Sequence, residues 1–161
     1  MSESRPRVSH GFSSRSLSWK LHSYEDAIER HLASEVERAG SRRAFLTTSR
    51  SMDEKTDTLK RAEVPLAARL AGSYAGVESD STYRSVQAAT VAAKEAGADL
   101  LVAIGGGSVI VAVRAMSIFL CEQADPFQLM TQYPEGQPAF SPKLNAPKLP
   151  IINLVTTPRL R

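Results

Sequence analysis

Three consecutive glycines, Gly105-Gly106-Gly107, are followed by Ser108 and sit between two apolar runs, residues 100–104 and 109–120. No other feature of the chain limits its fold as much. Glycine has no Cβ, so three in a row permit a bend that side chains would block and leave the backbone amides bare. The order reads as strand, tight turn, helix. A helix that starts there points its free N–H groups, and the positive end of its dipole, at whatever occupies the turn. The guest such a turn suits is a phosphate or a pyrophosphate.

The remaining elements can be read around this unit. Residues 7–21, with Gly11 and serine-rich turns, read as a short hairpin. Ser23 and Asp26 have the spacing of a capping box. Ile28, Leu32 and Val36 then recur at helical spacing until Gly40. Ala44–Thr48 reads as a short strand. Residues 53–68 are expected to form one helix, in which Pro65 marks a bend or an end. Leu70–Tyr74 reads as another strand. Asp80 or Ser81 is expected to cap a helix running to about Glu95, with Val86, Ala89 and Ala93 on one face and Gly97 beyond its end. Residues 99–104 make a further strand. The helix over 109–120 is apolar nearly all round, which predicts burial by more than one neighbour. Residues 122–148 contain five prolines and little periodicity, so they read as a long loop. Residues 149–155 read as the last strand, followed by Thr156-Thr157.

Strand and helix thus alternate about every 25–30 residues, which implies an α/β fold with a parallel sheet and helices on both faces. In such sheets ligands bind beyond the carboxyl ends of the strands. Three loops are expected there: residues 48–51, 105–108 and 156–157.

Composition narrows the function classes. The chain has 161 residues, 42% of them hydrophobic and 23% charged, which suits one globular domain and neither a disordered nor a fibrous chain. Net charge is +3, but the arginines are scattered without interleaved aromatics, so nucleic acid is not expected as a partner. The single cysteine, Cys121, cannot form an internal disulfide and suits a reducing compartment. No apolar run approaches the roughly 20 residues of a membrane span, and the start lacks a signal core. A cytoplasmic protein without a membrane partner is the expectation.

The stretch Gly97-Ala98-Asp99-Leu100-Leu101-Val102-Ala103-Ile104-Gly105-Gly106-Gly107-Ser108-Val109-Ile110 closely resembles the cofactor-binding segment of the iron-dependent alcohol dehydrogenases, a family that includes maleylacetate reductases and lactaldehyde reductases. Lys148-Leu149-Pro150-Ile151-Ile152-Asn153-Leu154-Val155-Thr156-Thr157-Pro158 resembles the family's next motif, at a fitting distance. The resemblance covers residues 7–158. It implies a Rossmann-like domain that binds NAD(H) or NADP(H). It also implies a second, all-helical domain carrying Fe(II) or Zn(II) on one Asp and three His, where the metal polarises the substrate oxygen during hydride transfer. On this resemblance Gly105, Gly106, Gly107 and Ser108 hold the pyrophosphate. Thr156 and Thr157 contact the cofactor near its phosphates or adenine. The end of the strand Ala44–Thr48 meets the adenosine ribose. Many NAD-using members place Asp there, whereas this chain has Ser49-Arg50, and a hydroxyl beside a guanidinium suits a 2′-phosphate. NADP(H) is therefore expected over NAD(H).

The chain departs from the family pattern in three places. It stops at Arg161, before the metal domain, and its histidines, His10, His22 and His31, lie at the wrong end to be the missing ligands. Val111 stands where the family has an Asp that contacts the nicotinamide half, and Arg114 where it has Lys or a similar residue. Residues 159–161 do not resemble the family's small-residue turn and read as a truncated end, as residues 1–6 read as a disordered start. No catalytic residue and no metal ligand is assigned within the chain. The expected function is the NAD(P)-binding portion of an alcohol dehydrogenase-like oxidoreductase, inactive as the isolated chain. A homodimer, or a second chain supplying the helical domain, is the partner this implies. The alternatives are a non-catalytic nucleotide-binding or interaction module, and a fragment from a frameshift or split gene.

Overall fold

The structure is a computed structural model that describes residues 9–13, 18–22 and 26–156. It opens with an antiparallel pair, β1 (Ser9–Ser13) and β2 (Ser18–His22). Helix α1 (Ala27–Arg38) leads to β3 (Ala44–Thr48). Helices α2 (Arg50–Lys55) and α3 (Thr58–Leu66) precede β4 (Leu70–Tyr74). Then come α4 (Tyr83–Glu95), β5 (Leu100–Gly105), α5 (Gly107–Cys121), the short α6 (Pro126–Leu129) and β6 (Ile151–Val155). Strands β3 to β6 form one parallel sheet in the order β4-β3-β5-β6. The α/β fold with a parallel sheet, expected from the alternation of elements, is the one observed.

Position in the sheet follows from sequence. The interior strands β3 and β5 are buried at every residue, as strands covered on both faces must be. Strands β4 and β6 are edges and only half-buried. Side chains alternate between the two faces. Phe45, Leu101 and Ala103 meet Val86, Ala89 and Ala93 of α4 and Val109, Ala112, Val113 and Met116 of α5. Ala44, Leu46, Leu100, Val102 and Ile104 meet Leu32 and Val36 of α1 and Leu59, Ala62 and Leu66 of α3. Each fully buried Leu, Ile or Phe in these layers contributes about 1.5–3 kcal/mol. The apolar helix α5 is thus covered by the sheet and by α4, as its composition predicts.

The amino ends of β3 and β5 are pinned by Asp99. Its carboxylate accepts hydrogen bonds from the Ser41 hydroxyl and from the amides of Arg42 and Arg43, both at 2.9 Å. Arg43 donates in turn to the carbonyls of Ala96 and Gly97, just past α4. Residues 122–148, expected as a loop, hold only the short α6 and an isolated bridge between Gln132 and Phe140, and their ends are fastened together. Lys148 Nζ lies 2.6 Å from Glu122 Oε1, which also accepts the Ala146 amide at 3.1 Å. Their pairing, led by Lys148, holds the Glu122 carboxyl below its usual range.

Several boundaries differ from expectation. Residues 53–68 form two helices, not one. Thr56 takes an extended conformation, and its hydroxyl bonds both the Met52 carbonyl (2.7 Å) and the Thr58 amide (3.3 Å), stopping α2 and starting α3. Pro65 sits one residue before the end of α3. Neither Asp80 nor Ser81 caps α4. Thr82 does, accepting the Ser85 amide, while Asp80 and Ser81 adopt left-handed conformations. Ser23, Thr157 and the two chain ends, 1–6 and 159–161, lie outside the described residues. His22 and His31 are half-buried and stacked at 4.0 Å, with His22 3.2 Å from Glu35.

Candidate functional site

At the carboxyl end of the sheet, each strand turns away into a loop, and the loops border one cleft of about 600 Å³. That volume falls in the ordinary range for a small-molecule site. Ser49 ends β3. Its side chain accepts the Met52 amide at 3.4 Å and so caps α2, placing Arg50 exposed on the cleft wall. Strand β5 ends in Gly105, and α5 starts from Gly106 with no side-chain cap. The amides of Gly107, Ser108 and Val109 have no carbonyl four residues back within the helix, so they remain donors directed at its N-terminal end. Thr156, after β6, reaches the same cleft. Its amide donates to Gly105 O at 3.2 Å, and its hydroxyl lies 3.6 Å from the Met52 sulfur.

Ser49, Arg50, Gly106, Gly107, Ser108 and Thr156 therefore line one space. Gly105 does not line it. It is buried at φ +150, and a Cβ there would stand 2.9 Å from Val109 Cγ2, so its role is to make the turn. Gly106 and Gly107 are the bare surface, since a Cβ at either would meet nothing within 4 Å. An anion can approach those amides as no side chain would allow. The residues thus fit a pyrophosphate.

The N-cap of α5 is Gly106, and Ser108 follows it by two residues. This serine lies inside the first turn of α5, and its hydroxyl oxygen accepts the Asp80 amide at 3.2 Å. Val111 is 55% exposed on α5 and does not line the cleft. Arg114, one turn further on, is exposed as well.

A fourth loop, missed from the sequence, completes the cleft. Gly76, Val77, Glu78 and Ser79 follow β4, and the Val77 amide donates to Thr48 O at 3.1 Å. The signal was available, because this loop stands at the carboxyl end of a strand like the other three. It brings a carboxylate to a wall that otherwise carries Arg50. The Thr82 hydroxyl, and next Arg84 at 2.5 Å, hold the Glu78 carboxyl below its usual range, so it is charged at neutral pH.

No group of three or more His, Cys, Asp or Glu side chains that could hold a metal ion occurs among the described residues. None of the described helices is long and apolar enough to cross a membrane.

The family model of iron-containing alcohol dehydrogenases matches residues 21–158. A search of curated proteins returns no match. Among solved structures, the chain is similar to a protein described as an alcohol dehydrogenase from Ralstonia eutropha JMP134. The identity is 30%, over 71% of this chain and 30% of that one, with a TM-score of 0.55. It is also similar to an iron-containing alcohol dehydrogenase from Thermococcus thioreducens, at 28% identity over 81% of this chain and 33% of that one, with a TM-score of 0.63. The sulfoacetaldehyde reductase of Bifidobacterium kashiwanohense, solved with NAD+, shares the fold at 16% identity and a TM-score of 0.64, over 81% of this chain and 32% of that one. The chain spans about a third of the length of these structures. With a family model matched over most of its length and a sheet that ends in the glycine turn, the chain belongs to the iron-containing alcohol dehydrogenase family.

Proposed function

We propose that this chain is the dinucleotide-binding part of an oxidoreductase that interconverts alcohols with aldehydes or ketones by hydride transfer, as the family's maleylacetate and lactaldehyde reductases do. The observation that carries the reading is the glycine turn. Gly106 and Gly107 present bare amides at the start of α5, inside a cleft that the loops of all four parallel strands border. In this reading the amides of Gly107 and Ser108 and the Ser108 hydroxyl hold the pyrophosphate, and Gly105 shapes the turn. Thr156 and Thr157 border the phosphates or the adenine. Ser49 and Arg50 meet the adenosine ribose. A guanidinium there suits the dianionic 2′-phosphate, so NADP(H) is favoured over NAD(H).

The Fe(II) or Zn(II) of the family supplies Lewis-acid polarisation of the substrate oxygen when bound. The described residues do not fit such an ion, so no step is assigned to it in this chain. In this reading the metal-bearing part is supplied by a further segment or by a second chain, with a homodimer as one arrangement. The sole cysteine, Cys121, supports a reducing, cytoplasmic setting.

The test is a fluorescence or calorimetric titration of the chain with NADPH and, separately, NADH. Saturable micromolar binding that is lost on Gly106→Glu supports the reading, because a carboxylate would then fill the open space above the turn. Absence of binding by a folded chain refutes it and favours the non-catalytic interaction module.

A further inference from the structure

The segment 78–81 combines features that the fold alone does not need. Asp80 and Ser81 are consecutive non-glycine residues in the left-handed region, with φ of +61 and +53. Each such residue costs free energy and persists only where its surroundings hold it there. The segment is short and fixed at both ends. Val77 is buried and bonded to Thr48 O, and Thr82 caps α4. Between these anchors the Ser81 amide bonds Glu78 O at 3.2 Å, closing a tight turn.

The turn is folded onto one residue, Ser108. The Asp80 amide donates to Ser108 Oγ at 3.2 Å, and the Ser81 hydroxyl donates to Ser108 O at 2.5 Å. A serine hydroxyl carries one donor and two acceptor sites. With one acceptor site taken by Asp80, the hydroxyl hydrogen stays free to point into the cleft. The bond from Ser81 fixes the first-turn backbone of α5, and with it the direction of the amides beside Ser108.

Resting on the dinucleotide reading above, we infer that residues 78–81 act as a strained strap that positions Ser108 and the first turn of α5 against a cofactor pyrophosphate, with Ser81 as the positioning residue. Ser81 itself does not touch the ligand in this scheme. It acts by holding the donors that do.

The experiment uses the full chain, with NADPH as probe, and reads calorimetric affinity together with the ³¹P resonances of the bound pyrophosphate. Ser81→Ala removes the bond to Ser108 O. It is expected to weaken NADPH binding about five- to tenfold and to move the bound ³¹P signals. Asp80→Gly keeps the amide donor but loosens the strap. It is expected to hold or raise the melting temperature, because glycine accepts φ +61, and still to weaken NADPH binding severalfold. Loss of the Asp80 charge would strengthen binding of an anion, so a loss of affinity cannot come from that charge. A merely structural strap would leave the ³¹P signals in place and would make affinity follow stability. Wild-type affinity and unmoved ³¹P signals in both variants overturn the inference. Failure of the wild-type chain to bind NADPH overturns the dinucleotide reading itself, and this inference with it.

Discussion

Replacing Asp99 by alanine removes the one acceptor shared by three donors at the amino ends of β3 and β5. The loss can be sized from what is left behind. Ser41 is 6% exposed, so its hydroxyl stays buried without a partner, which costs about 1–3 kcal/mol. Arg42 and Arg43 are exposed, so water re-solvates their amides and each loses only a net hydrogen bond of about 0.5–1.5 kcal/mol. Together Asp99→Ala should destabilise the fold by about 2–6 kcal/mol, or roughly 4–24 °C in melting temperature for a chain of this size. The sign of the pH dependence follows from the carboxyl. Burial pushes its pKa up, but the bonds from Ser41, Arg42 and Arg43 outweigh this and hold it below the ordinary value of 3.8. A carboxyl depressed in the folded state stabilises fully above that ordinary value, and the contribution is lost as pH falls through the folded one. The assay is urea unfolding followed by circular dichroism, for wild type and variant, from pH 7 down to about pH 2.5. The gap between them should be constant down to pH 5 and shrink below 3.8. A gap under about 0.5 kcal/mol at pH 7, below even one ordinary net hydrogen bond, would refute the reasoning. So would a gap that widens in acid.

Two further outcomes are expected. Gly105→Ala drives a Cβ to 2.9 Å from Val109 at a φ that alanine avoids, so thermal unfolding should show a loss of about 1–3 kcal/mol, whereas alanine at Gly107, with open space around it, should leave the fold intact. Arg50→Ala should weaken NADPH binding about tenfold and NADH binding less than twofold in parallel calorimetric titrations, and equal losses for both cofactors would remove Arg50 from the 2′-phosphate role.

The parallel sheet was readable in the linear order because its signals are local. Burial on both faces writes β3 and β5 as unbroken apolar or β-branched runs, and the alternation with helices fixes their direction. The glycine turn was readable for the same reason, since strand, bend and helix are contiguous. Six of the eight residues expected at the site do line one cleft, because the carboxyl ends of parallel strands share one edge of the sheet. What escaped the sequence depends on contacts between distant residues. The loop 76–79 joins the cleft through a bond from Val77 to Thr48, and Ser108 is held by residues 27 and 28 positions earlier in the chain. Asp80 and Ser81 look like helix caps because their side chains suit that role. In the folded chain they lie between buried Val77 and the Thr82 cap, in left-handed conformations, with their bonds turned onto Ser108. Local propensity wrote the elements and the turn, and packing between elements then set which atoms of that turn face the cleft.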